Sequence, residues 1–452
     1  MKRLPLVDIT PIAAGLYAPR QPIRPRVVKG RYSRRRLGLG MLWLGLFFSL
    51  PWLRWDGQPA VWVDLPRRRL HLFGALYWPE DLYLLAIALA VAAFALFWVT
   101  VLAGRIWCGY ACPQTLWTAL FRWCERITEG PRGQRAQGSP ARRRLRSLAK
   151  HLLWLALSGL TALTLVSLFI PMERLLPGLA EAWLPSAVWA WLAALTLGTY
   201  GNAGWLREQL CLYLCPYGRF QAVMLDAATP VVTYDRQRGE PRRGPRDAIG
   251  GGGACVDCTL CVQVCPTGID IRDGQQLACI ACGACVDACD AMMTRLNLAT
   301  GLVAYRPASS HVRRQGLRPG PRLLGYGLVL LAASATLAWA VTSRPLVSFS
   351  ASKDRQLYRD AGDGTLENVY TLTILNKDRR PHAYRLSAQG PAGLLWRGPA
   401  ELHLGRASQG SLVVSLALPH AQAHSQPLRW RLESDDGQPT LEVPGRFLGP
   451  SP

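Results

Sequence analysis

The sequence predicts a multi-domain membrane protein, on three observations. Five apolar segments approach the ~20 residues that a helix needs to cross a bilayer. Eight cysteines between Cys255 and Cys289 form two consecutive runs of one spacing. A cysteine-free C-terminal stretch reads as short alternating strands separated by turns. Together they predict an α-helical transmembrane bundle of about five spans, a cytoplasmic two-cluster ferredoxin-like insert and a C-terminal immunoglobulin-like β-sandwich.

Composition narrows the class before any motif is read. The chain has 452 residues, with Lys+Arg 52 against Asp+Glu 29 and a net charge of +23. Its mean hydropathy is mildly positive. Such a charge suits nucleic acid, but the chain also has 17 Trp and long apolar runs with arginines clustered beside them. That is the positive-inside pattern, so the expected partner is the lipid bilayer and not nucleic acid. All 13 cysteines fall between Cys108 and Cys289. This argues against a disulfide framework and for metal ligands kept reduced in the cytosol.

The N-terminal element, residues 1–36, is a basic cytoplasmic segment without a cleavage site for a signal peptide. Spans are expected at Leu37–Leu53, Leu82–Ala103, Leu152–Ile170 and Ala187–Leu206, all within a transmembrane region of residues 37–225. A fifth is expected at Leu323–Val341, within residues 322–343. Ten Lys/Arg lie in 1–36 and ten more in 105–150, against Arg174 alone in 172–186. An N-in arrangement then keeps the basic loops and the ferredoxin region cytoplasmic, with the C-terminal region outside. Arg67, Arg68 and Arg69 disagree, because they fall in the first external loop.

Trp107-Cys-Gly-Tyr-Ala-Cys-Pro113 closes the second span and Leu210-Cys-Leu-Tyr-Leu-Cys-Pro216 closes the fourth. Both read C-x-Y-x-C-P. Cys108 and Cys112 are four apart, as are Cys211 and Cys215, so on a helix each pair faces one way. Pro113 and Pro216 disfavour helix just before them and suit the first turn of a new one. Each motif therefore marks a helix break at the cytoplasmic membrane face. Four soft sulfurs there suit Cu(I), or Cu(II) held while it is reduced. The alternative is that they are small apolar packing residues. Cys124, outside the repeat, reads as structural. Tyr110 and Tyr213 read as interface anchors.

Residues 226–310 carry the ferredoxin-like domain. Cys255, Cys258, Cys261 and Cys265 read C-x2-C-x2-C-x3-C with Pro266 next. Cys279, Cys282, Cys285 and Cys289 repeat it with Asp290 in the place of the proline. This is the ligand spacing of a bacterial protein with two [4Fe–4S] clusters; zinc knuckles use pairs with longer gaps. A tight loop reaches three irons, and the fourth is reached by the distant cysteine of the other run. The first cluster is therefore expected on Cys255, Cys258, Cys261 and Cys289, the second on Cys279, Cys282, Cys285 and Cys265. The run Gly250–Gly253 reads as a flexible linker, since no Lys or Ser/Thr follows as in a phosphate loop.

Residues 345–452 contain alternating segments at Val369–Leu375, Ala383–Leu386, Ser411–Leu416 and Leu428–Leu432, with turns such as Asn376-Lys377-Asp378. An extracytoplasmic sandwich is expected, without the usual cysteine staple. His71, His151 and His311 are isolated. His382, His403, His420 and His424 read as loop or strand residues, and Met172, Met292 and Met293 form no metal-binding box. No Ser-His-Asp order, Walker loop or dinucleotide fingerprint is present.

On these motifs the chain resembles the cytochrome c oxidase accessory proteins CcoG, also called FixG or RdxA. The resemblance runs from about Arg31 onward. It rests on Cys108-Gly-Tyr-Ala-Cys-Pro-Gln114, Cys215-Pro-Tyr-Gly-Arg-Phe-Gln221, the two runs starting at Cys255 and Cys279, and Glu367-Asn-Val-Tyr-Thr-Leu372. It implies a multi-pass protein of the bacterial cytoplasmic (inner) membrane that reduces Cu(II) to Cu(I) for assembly of a cbb3-type oxidase. It implies copper ligation and catalysis at Cys108, Cys112, Cys211 and Cys215, and two [4Fe–4S] clusters on the eight ferredoxin cysteines. Implied partners are oxidase assembly factors, a copper transporter or chaperone, and an unidentified electron donor. The alternatives are a quinol-linked membrane ferredoxin subunit and a non-enzymatic assembly scaffold.

Overall fold

The computed structural model describes residues 23–130, 139–226, 228–243, 252–307, 320–378, 380–435 and 440–450. Residues 1–22 of the basic segment, Gly250 and Gly251 of the glycine run, and His311 lie outside the described residues. The chain forms two compact units. One comprises Met1–Val63 and Ala86–Ala335, the other Asp64–Leu85 and Thr336–Pro452.

The first helix is α1 (Arg31–Ser49). A hairpin of β1 (Arg69–Leu72) and β2 (Ala75–Tyr77) precedes α2 (Leu82–Ala103). Then come α3 (Ile106–Tyr110), α4 (Pro113–Glu129), α5 (Pro140–Ser167), α6 (Met172–Ala180) and α7 (Ser186–Tyr200). Two π-turns, Gly201–Leu206 and Leu210–Leu214, lead into α8 (Pro216–Met224). The ferredoxin region supplies α9 (Ala284–Arg295), and α10 (Pro321–Thr342) follows. Proline opens α4, α5 and α8, where its missing N–H costs nothing and its φ already suits a helix.

Among the described residues, three helices are long and apolar enough to cross a membrane: the Pro79–Ala103 segment containing α2, then α5 and α10. Only 6 % of α10's apolar stretch is buried inside the protein, and 17 % of the first segment's. Such surface is stable only against lipid or a partner. Of the other expected spans, Leu37–Leu53 lies largely in α1, and Ala187–Leu206 in α7 with its π-turn.

The ferredoxin region is built on antiparallel β3 (Pro230–Tyr234) and β4 (Val303–Pro307), paired from Pro230↔Pro307 to Tyr234↔Val303. Val232, Ile271, Val286, Met293, Leu302 and Val303 form its core. The N-terminus of α1 is docked on this region. Gly30 gives α1 no side-chain cap. Instead the Asp287 carboxylate of α9 accepts from Tyr32 N–H (3.1 Å) and Ser33 N–H (2.7 Å). An anion at the positive end of the helix dipole satisfies two amides that the helix itself leaves unpaired.

The second unit is a β-sandwich. One sheet orders β8 (Leu395–Arg397), β10 (Gln409–Pro419), β6 (Thr365–Asn376) and β5 (Val347–Lys353), with Arg359–Asp360 added on β6. The other orders β9 (Glu401–Leu404), β7 (His382–Gln389), β11 (Gln426–Ser434) and β12 (Leu441–Phe447). All four segments expected to alternate lie in these strands. Tyr370, Leu372 and Ile374 of β6 meet Tyr384, Leu386, Trp430 and Leu432 of the other sheet in one core. Trp430 is fully buried and packs edge-on to Tyr370 at 4.9 Å and Trp396 at 6.0 Å. These rings fill the centre of the core.

The β1–β2 hairpin belongs to the same unit. Leu76 and Trp78 pack on Leu375. Arg69 stacks over the Trp78 ring at 4.2 Å, and Arg67 pairs with Asp64 at 3.8 Å. Two of the three arginines that contradicted the charge rule are thus used in local packing. Buried Lys377 bonds Asp81 at 3.0 Å and Glu80 at 3.1 Å, and Arg344 lies 3.6 Å from Asp81. Removing one partner of a buried pair strands the other charge. Lys377→Met is expected to destabilise this unit by about 3–5 kcal/mol, read as a lower urea midpoint for hydrogen-exchange protection in β6. The Lys377→Met/Asp81→Asn double variant is expected to lose less than the sum of the single losses.

Candidate metal centre

The two cysteine runs fold alike. The residues flanking the second cysteine of each run are left-handed: Asp257 (φ 47) and Thr259 (φ 54) in the first, Ala281 (φ 49) and Gly283 (φ 72) in the second. For residues with a Cβ this conformation is costly, and its repetition at matching positions curls both runs into the same tight loop. Helix then resumes in each, as a turn at Leu260–Gln263 and as α9.

The second run surrounds a cavity of about 340 Å³, counting the part open to solvent. Cys265, Cys279, Cys282 and Cys285 all line it, with Cys261 and the apolar Ile269 and Ile280. So the distant Cys265 stands with the second triplet. Cys289 lies within electrostatic reach of Cys261 and Cys255 of the first. Among the described residues no three Cys, His, Asp or Glu side chains converge tightly enough to hold a single ion. Thiols spread around a void suit a cluster, which fills the space between its ligands. Burial pushes the Cys261 and Cys279 thiols up to about 11 and Cys289 to about 12. Ligation as thiolate therefore releases protons on loading.

Cys108 lies in α3, whereas Cys112 is extended and caps α4. Cys211 lies in a π-turn and Cys215 caps α8. The helix breaks before Pro113 and Pro216 are as expected. In each pair the second cysteine ends the helical turn in extended backbone, its N–H still bonded back to Trp107 O or Leu210 O, and the two cysteines stay within electrostatic range of one another. The Cys108 sulfur is 3.3 Å from Gln221 Oε1 and within electrostatic range of Cys112, Cys211 and Cys215. Cys124 is buried among Phe121, Trp154 and Ala203, in the packing role expected of it.

The first motif is pressed against the second cysteine run. A Cβ on Gly109 would lie 2.8 Å from Ile280 O, 3.1 Å from Ala281 O and 3.2 Å from Cys282 Cα. Tyr110 Oη donates to Cys282 O (3.3 Å), and Tyr305 Oη donates to Ala281 O. Tyr110 is therefore buried in this contact and is not an interface anchor, whereas Tyr213 is 70 % exposed. Arg105 donates to Leu277 O, to Cys279 O (3.1 Å) and to Gly218 O (3.0 Å), tying the second run to α8. Arg105, Gly109, Tyr305 and Gln221 escaped the sequence reading. Arg105 and Gly109 stand beside Cys108, but nothing in the spacing says what they face.

Residues 206–308 match a family model described as a 4Fe-4S dicluster domain, and residues 85–131 one described as a 4Fe-4S binding domain. Residues 337–450 match the IG-like fold at the C-terminal of FixG. The chain is similar to protein RdxA of Cereibacter sphaeroides, 38 % identical over 96 % of this chain and 98 % of the other. It is similar to nitrogen fixation protein FixG of Rhizobium meliloti, 34 % identical over 85 % and 82 %. A solved FixG-related protein from Vibrio parahaemolyticus matches 23 % of this chain and 96 % of its own at 23 % identity, with a TM-score of 0.22.

Gly109→Val drives a side chain into backbone that cannot yield cheaply. The variant is expected to lose iron and acid-labile sulfide equivalent to one cluster. Gly159→Val, at a position with nothing within 4 Å, is expected to keep both.

Proposed function

The chain belongs to the FixG/RdxA family of iron–sulfur proteins, and on that premise we propose that it is a membrane-bound oxidoreductase whose substrate is Cu(II). The observation that carries the proposal is the contact of the C-x-Y-x-C-P motif with the second cysteine run at Gly109 and Tyr110. It brings a soft-ligand site next to an electron-transfer site, and each would be of little use for copper reduction without the other.

Cys255, Cys258, Cys261 and Cys289 would hold the first [4Fe–4S] cluster, and Cys279, Cys282, Cys285 and Cys265 the second. When bound, the clusters supply one-electron transfer over short distances. The chain's own part is to hold the substrate near them. No three of Cys108, Cys112, Cys211 and Cys215 converge on one point, so they would offer thiolates to Cu(II) in pairs; one electron per ion gives Cu(I), which prefers such soft ligands at low coordination number. Gly109 permits the close approach, and Tyr110 and Tyr305 fix the loop by bonding its carbonyls. The product would pass to a copper transporter or chaperone and serve assembly of a cbb3-type oxidase.

The arrangement we propose is N-in with five spans in the bacterial inner membrane: its orientation rests on the distribution of Lys and Arg, and two contacts support an odd number of spans. Asp287 holds the N-terminus of α1 on the ferredoxin region, so both belong to one side. The β1–β2 hairpin, which follows α1, packs with the C-terminal sandwich. An odd number of spans from α1 through α10 fits both, with the clusters cytoplasmic and the sandwich periplasmic.

Anaerobically purified protein, reduced chemically and freed of reductant, is expected to convert Cu(II) to chelatable Cu(I). Cys108→Ser/Cys211→Ser is expected to slow this by about 10–100-fold with iron content unchanged. Full-rate reduction by that variant would move the copper site elsewhere. Crossed ligation is checked separately: Cys289→Ser is expected to disturb the same EPR signal as Cys255→Ser, and Cys265→Ser the same one as Cys282→Ser.

A further inference from the structure

Two buried arginines stand beside the two cysteine sets, and their surroundings differ. Arg272, near Cys261 of the first set, is paired with Asp270 at 2.6 Å and with Asp257. Arg242, paired with Glu240 at 3.0 Å and 3.8 Å from Asp273, also reaches Asp270, so two cations face four carboxylates and that corner is net negative. Asp290 adds a further negative charge beside Cys289 of the same set. Its carboxylate accepts the Gly301 N–H at 2.8 Å and is faced by the exposed Arg31 guanidinium.

Arg105 stands beside the second set. The residue is 8 % exposed. Its guanidinium donates to three neutral carbonyls, those of Leu277, Cys279 and Gly218. Among the described residues it forms no ion pair with a carboxylate. Its charge reaches the sulfurs of both Cys279 and Cys108. Arg36 adds positive potential at Cys282. Asp287 of α9 is occupied by the positive end of α1. A cluster gains negative charge on reduction, so an uncompensated cation favours its reduced form and a net negative corner disfavours it. Because Arg105 is buried, its charge is weakly screened by solvent.

We propose that Arg105 is a positioning residue that sets the reduction potential of the second cluster above that of the first, and so directs electrons from Cys255–Cys261 toward the C-x-Y-x-C-P pairs. This rests on the reading above that the eight cysteines hold two clusters. Electrons from a soluble donor then enter at the first cluster, which has the lower potential. They leave at the second, beside Gly109 and Cys108. The same guanidinium that bonds the Cys279 carbonyl also bonds Gly218, two residues past Pro216. One charge thus tunes the exit cluster and holds the second cysteine motif against it.

The test is an EPR-monitored redox titration of full-length protein, purified anaerobically and free of copper. Two midpoints are expected for the unaltered chain. Arg105→Gln is expected to lower the higher midpoint and leave the lower one in place. Arg105→Lys, which keeps the charge but not the planar fork, is expected to restore most of the drop. Unchanged midpoints in Arg105→Gln, or movement of the lower one alone, overturn the proposal. If Arg105→Gln loses the second cluster, Arg105→Lys decides. A higher midpoint still above the lower one sustains the proposal, and inversion of the two overturns it. Absence of cluster signals in the unaltered protein would instead overturn the underlying assignment of the cysteines.

Discussion

The chain has no side chain at residue 109, and the packing of its cysteine motifs depends on that. A Cβ there would fall on the carbonyls of Ile280 and Ala281. With hydrogen alone, the segment carrying Cys108 and Cys112 lies flush against the loop carrying Cys279 and Cys282. Tyr110, Tyr305 and Arg105 then hold the loop by its carbonyl oxygens, which leaves its cysteine sulfurs free for ligation.

The same region is held together by charge that the membrane-facing surface does not carry. Glu125 pairs with Arg207, and Arg122 lies 3.6 Å from Glu208 while donating to Pro266 O at 3.1 Å. These groups join α4 to the turn between the two π-segments and to the end of the first cysteine run. Arg207 adopts a left-handed backbone (φ 47) and packs over Trp154 at 5.4 Å. Buried pairs of this kind add little net stability, but a displaced partner would be costly, so they specify one arrangement. That suits a site whose parts come from segments more than 150 residues apart.

Much of the molecule was legible in the sequence because its signals are local. The cysteine spacings, the Cys-Pro helix breaks and the alternation at Val369–Leu375 each depend on residues within one loop or strand. The Arg67–Arg69 run stood against the charge rule in sequence, because a count of charges cannot see that Arg69 stacks on Trp78. Tyr110 misled for a similar reason. A tyrosine near a span end usually lies at the lipid interface, but here the ferredoxin loop occupies that place.

The sequence by itself determined the parts: apolar helices able to cross a membrane, two cluster-binding runs, a duplicated cysteine pair and a sandwich built on period-two strands. Spacing and periodicity carry that information, since backbone geometry translates them directly into helix, loop and strand. Only the tertiary structure decided which parts touch. That Gly109 meets Ile280, and that among the described residues Arg105 has no carboxylate partner while Arg272 has two, are consequences of chain packing. Contacts between residues so distant in sequence leave no period to read.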